Sequence, residues 1–202
     1  MITNRDPRRR TICTLFLLLL FISAMAGCHS PHASVKQPST ATDDVRNNSV
    51  SLLYDLLGDE QNVSKLLIIK RDREELHRVI KSISTNAAAG RKTLERMAAD
   101  DASLDLKKMA LPSGEKATRE AIGKTKTGEL LRASGADFEF KLLLTQTEAL
   151  NYGEHLAKVA AANEPKAEHA KIFREISTEM KRRSDEVRAL MRSGTVRGQS
   201  VR

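Results

Sequence analysis

The chain has 202 residues, 30% of them charged and 3% aromatic, with no Trp and a formal net charge of +8. A length of this order holds one domain with tails. A core without large rings must be built from Leu, Ile, Val, Met and Ala, which suits helix packed on helix, and the scarcity of aromatics removes the stacking platform that single-stranded nucleic acid requires.

Residues 1–27 read as an export leader. MITNRDPRRR supplies the positive start, and residues 12–26 (ICTLFLLLLFISAMA) form an apolar run. That run is shorter than the roughly 20 residues a permanent membrane helix needs. It ends in Met25-Ala26-Gly27-Cys28, which resembles the bacterial lipobox, with Met25 where Leu is usual. The resemblance implies cleavage between Gly27 and Cys28 and a diacylglyceryl group on the Cys28 thiol. Two acyl chains make such an anchor effectively stable at about 0.8 kcal/mol per methylene. Arg9-Arg10 lacks the rest of a twin-arginine signature, so the general secretory route is expected. His29, where an Asp would retain the protein in the inner membrane under enterobacterial sorting rules, points to the outer membrane. The leader removes Cys13 and four arginines against Asp6, leaving a charge of +5. With Cys28 acylated, the mature domain has no thiol nucleophile, no disulfide and no thiolate metal site.

Residues 28–48 are polar and rich in Ser, Thr, Pro and Asn and are expected to form a flexible tether. His29 and His32 within it are read as solvated. A helical pattern begins at Ser49 and halts near Gly58, giving a short N-terminal helix. Residues 59–84 place Leu66, Ile69, Arg73, Leu76, Ile80 and Ile83 at three- and four-residue steps, the mark of one buried helix face. A further helix is expected over residues 85–110, with Ala87, Leu94, Met97 and Leu104 inward. Leu111-Pro112-Ser113-Gly114 breaks the chain. Residues 115–132, interrupted by Gly123 and Gly128, predict a short or frayed helix inside a long crossover. The strongest pattern covers residues 136–162 (Phe138, Leu142, Leu143, Leu150, Leu156), and Asn163-Glu164-Pro165 stops it. The last helix, to about Arg192, buries Phe173, Ile176, Met180, Val187 and Leu190. Residues 193–202 read as a disordered basic tail. The expected fold is all-α: an antiparallel four-helix bundle over residues 49–192, with one longer crossover and an extra short N-terminal helix.

Three stretches extend this reading: Glu95-Arg96-Met97-Ala98-Ala99-Asp100-Asp101, Ser134-Gly135-Ala136-Asp137-Phe138 followed by Gln146, and the final helix. Together they resemble exported bacterial ferritin-like four-helix-bundle proteins of unknown function, described as predicted outer-membrane proteins. The resemblance implies fold and address over about residues 66–191. It departs where that family has histidines and this chain has Asp101, Leu150 and Ser184-Asp185-Glu186, which removes the family's argument for a metal.

Glu74 and His77 form the single Glu-x-x-His pair on a helix face, half of the repeat that di-iron bundles use twice. His155 and His169 have Tyr152 and Lys166 at the corresponding position. A solvated Glu74 and a half-buried His77 beside the Leu76–Ile80 stripe is the preferred reading, and a metal pair the rival one. No phosphate loop, Gly-x-Ser-x-Gly elbow or His-Glu-x-x-His occurs. Lys70-Arg71-Asp72-Arg73 and Lys181-Arg182-Arg183 are followed within about a turn by acidic residues and read as solvated helix faces. The sequence therefore predicts a non-enzymatic binding or structural lipoprotein of the cell envelope, without cofactor, facing the periplasm and meeting an envelope protein or cell-wall partner but no nucleic acid. The alternative is a ferritin-like di-metal or peroxide-handling protein.

Overall fold

A computed structural model describes residues 41–68 and 73–199. The leader, Gly27, Cys28 and the stretch to residue 40 lie outside the described residues. Five helices follow one another: α1 (Ala41–Glu60), α2 (Glu74–Asp100), α3 (Ser113–Arg132), α4 (Gly135–Ala162) and α5 (Ala167–Gln199), with a 3₁₀ segment (Val63–Ile68) between α1 and α2. No strand occurs among the described residues, and none of their helices is long and apolar enough to cross a membrane. The all-α expectation holds. α5 packs on α4 and α2, and α1 packs on α2 and α4, so these four helices surround one core, while α3 contacts mainly α4.

That core follows from the apolar stripes. Leu76, Ile80, Ile83, Ala87, Leu94 and Met97 of α2 are all buried at helical spacing. Phe138 and Leu142 of α4 and Phe173 of α5 are fully enclosed, each such side chain contributing about 1.5–3 kcal/mol on burial. Gly153 leaves room for the ends of Met180 and Leu56: a Cβ there would lie 2.6 Å from Met180 Cε and 2.8 Å from Leu56 Cδ2.

Several element boundaries differ from the sequence reading, and the helix expected from residue 59 begins at Glu74. The expected break near Ser84 is absent: α2 runs unbroken through it. Ser84 is buried, and its hydroxyl donates to the Gln61 carbonyl at 2.5 Å and meets Ser64 Oγ at 3.0 Å, so a residue that usually favours turns is occupied by the turn beside it. α2 then stops at Asp100, where Asp101 Oδ1 accepts the Ser103 N–H at 3.0 Å in a side-chain turn. α3 is a full 20-residue helix rather than a short frayed one. α5 continues to Gln199, into the stretch read as a disordered tail.

α1 begins at Ala41, inside the stretch read as tether. Its polar first half works against the α2–α3 connection. Arg46 Nη2 donates to the Ser103 carbonyl at 2.9 Å and Ser51 Oγ to the Asp105 carbonyl at 2.7 Å. Asn47 Oδ1 accepts from the Asp105 N–H at 3.2 Å and Asn48 Oδ1 from the Ala110 N–H at 3.0 Å. These side chains satisfy backbone groups that a loop otherwise leaves to water. The composition resembles a linker because much of the face it builds binds main chain.

Candidate functional site

Three features stand out from the packed core. The first is created by α3. Leu130 is the only buried residue of that helix. Arg119 Nη1 donates to the Tyr152 hydroxyl at 2.7 Å, with its guanidinium 5.1 Å from the ring centroid, and Lys126 pairs with Glu148 of α4. Elsewhere α3 stands off, leaving a groove of about 820 Å³ against α1, α4 and residues 106–111. Its apolar wall includes Leu52, Leu56, Leu106, Met109, Leu111 and Ile122, and both tyrosines line it. Burial and the neighbouring Asp55 raise the carboxyl of Asp59 on its rim, against the opposing pull of Arg91.

The second is a smaller cavity of about 240 Å³ between α2 and α5, roofed by the end of α1. Small residues of α2 (Ala87, Ala89, Gly90) open it, and Leu57, Ile83, Leu150, Ile176 and Met180 wall it. Glu60 lines it with 7% of its surface exposed, and its Oε2 has no hydrogen-bond partner. Burial pushes this carboxyl up to about 7, against the hydrogen bond with Gln146. Gln146 of α4 is itself enclosed and its Oε1 is unpartnered. At the mouth, Glu179 accepts from Arg182, Arg183 and Asn86; burial would raise its carboxyl, but the two guanidiniums hold it below the usual range.

The third is an ionic cluster where α2 ends and α4 turns into α5. Arg46, Asp101 and Glu164 are buried. Arg46 Nη1 lies 3.9 Å from Glu164 Oε2, and Lys166 Nζ 2.7 Å from Asp101 Oδ2. His169 Nδ1 sits between the carboxylates, 3.7 Å from Asp101 and 3.8 Å from Glu164. Burial would raise Asp101, but Lys166 and the hydroxyl and N–H of Ser103 hold it at about 2. Asp43 also lies 3.8 Å from Arg46, and Arg46 Nε, Glu164 Oε2 and His169 Nδ1 have no hydrogen-bond partner.

No family model, characterised protein or solved structure matches this chain. The functional reading therefore rests on the chain's own residues.

Of the residues singled out from sequence, Cys28 and Gly27 lie outside the described residues. Glu74 and His77 fall in the first turns of α2, Glu74 exposed and His77 half-buried beside the enclosed Leu76 and Ile80. The nearby carboxylates Glu75 and Glu139 pair with Arg73, and among the described residues no group of three or more His, Cys, Asp or Glu could hold a metal ion. The basic run on α5 behaves as its spacing predicts: Lys181 pairs with Asp185 at 2.7 Å, and Arg182 with Glu186 at 2.8 Å. Sequence reasoning missed Glu60, although a signal was present. Glu60 continues the Val50, Leu53, Leu57 stripe of α1, so a carboxyl on an apolar face marks it. Arg46 and Glu164 offered no such signal, because their partners are remote in sequence and lie in connections.

Proposed function

We propose that this chain is a lipoprotein of the bacterial cell envelope, held at a bilayer by acylated Cys28, whose helical domain is a non-enzymatic binding module with the antiparallel, ferritin-like four-helix arrangement and α3 as its crossover. The observation that carries the binding role is the groove beside α3. A helix with one buried residue does not stabilise the core, yet its two polar contacts keep it beside a wall of Leu, Met and Ile side chains. Apolar surface of this kind on a charged domain is the mark of an interaction face. Its rim mixes Lys107, Lys116 and Lys126 with Asp55, Asp59 and Glu148. That alternation favours an amphipathic polypeptide segment of another envelope protein over a uniformly anionic polymer.

The experiment places a photo-crosslinking amino acid at Ile122, half-exposed in the groove, and at Lys181, on the charged face of α5, in cells making the full chain. A discrete protein adduct from position 122 and none from position 181 is expected; the same background at both positions would defeat the binding role. Radiolabelled palmitate should enter the wild-type chain and not Cys28→Ala, and labelling of both would remove the anchor.

A further inference from the structure

Glu60 stands apart from the groove and needs a separate account. A carboxyl in an apolar wall is costly to ionise unless a cation or donors meet it. Here the Gln146 amide hydrogen-bonds to the carboxyl, yet both Glu60 Oε2 and Gln146 Oε1 are left with nothing to accept. The place is therefore rich in acceptors and short of donors, beside an empty apolar volume. We propose that the cavity between α2 and α5 is a binding site for a small primary amine with a compact apolar body, its ammonium group meeting the Glu60 carboxylate.

Size, charge and chemistry agree on this class. At about 30 Å³ for each water-sized group, 240 Å³ admits about eight non-hydrogen atoms. Of the three carboxyls in the lining, Glu179 is paired with Arg182 and Arg183 and Glu175 with Lys171, so Glu60 is the lining carboxyl left for a ligand cation. An ammonium brings three donors and no acceptor, which suits the unpartnered Oε2 of Glu60. The groups facing Glu60 are Asp59 on its own helix, Asn86 on α2, Gln146 on α4, and Glu175, Glu179 and Arg183 on α5. Because burial lifts the Glu60 carboxyl to about 7, raising the pH through neutrality supplies the negative charge that the amine requires.

The test uses the full chain with isotope-labelled isoleucine methyl groups, titrated with benzylamine and with benzyl alcohol, a neutral molecule of the same size. The methyl signals of Ile83, Ile172 and Ile176, which line the cavity, report site occupancy. Benzylamine is expected to bind at least tenfold more tightly than benzyl alcohol at pH 8. That preference should narrow towards pH 6 and vanish at every pH in Glu60→Gln. Equal affinities at pH 8, a preference for the alcohol, an amine preference that survives Glu60→Gln, or no shift of these methyl groups would each overturn the proposal. The wild-type pH series stands by itself if the variant is poorly folded.

Discussion

Glu60 ends a helix face that otherwise presents Val50, Leu53 and Leu57 to the core, and its position makes stability depend on pH in an unusual direction. A carboxyl whose pKa rises from 4.5 to about 7 on folding holds its proton in the folded state while the unfolded chain has already released it. Stability from this group is therefore unaffected below 4.5, falls as the pH climbs from there, and levels off above about 7. The total is about 3 kcal/mol. Glu60→Gln keeps the shape and removes the proton, so the variant should match wild type near pH 4 and exceed it by 2–3 kcal/mol (about the same figure) at pH 8. Urea unfolding at the two pH values checks this, and a constant difference between them would contradict it. The residue was legible as a misfit on an apolar stripe. Its partner Gln146 occupies the matching place on α4, four residues after Leu142 and four before Leu150, but no sequence pattern shows that two polar side chains on different helices meet.

The elements were legible in proportion to their stripes. α2, α4 and α5 carry apolar residues at regular helical steps; α4 lies within a residue of where periodicity put it, whereas α2 replaces two expected helices (residues 59–84 and 85–110) with one over Glu74–Asp100. Where polar side chains hydrogen-bond to backbone, as in the first half of α1, periodicity has no purchase, and composition alone suggests a linker. α3 presents the opposite case: its sequence is helix-compatible but lacks a stripe, and the helix that forms is nearly unburied. Local opening tracks the apolar area that an element hides. Amides of α3 should accordingly exchange with solvent at least a hundredfold faster (about 3 kcal/mol less protection) than those of α4 and α5. Exchange followed by mass spectrometry measures this directly. Protection of α3 equal to that of α4 would mean that the groove contacts hold it more firmly than two polar bridges allow.

At the scale of the whole molecule, the ionic cluster joins pieces that the four packed helices leave apart: the start of α1, the end of α2 and the turn from α4 into α5. Asp101 anchors the cluster at the end of α2. Its pKa lies at about 2 in place of 3.8, so its contribution of about 2 kcal/mol is complete above pH 3.8 and disappears as the pH falls through 2. Asp101→Asn should cost about as much at pH 7 and nothing at pH 2, read from thermal unfolding across that range; an equal loss at both ends would show that the carboxylate acts through packing instead of charge. None of this was visible in the sequence, since Arg46, Asp101 and Glu164 are separated by long stretches of chain and each sits where helices begin or end.

The detachment of α3 has an evolutionary corollary. Helix α3 must span a fixed gap, but the core asks almost nothing of its content beyond Leu130. Lengthening a connection costs little, about 0.6 kcal/mol for each doubling. This stretch is therefore the part of the molecule that can be rewritten, extended or exchanged to suit a new companion while the rest of the fold keeps its shape.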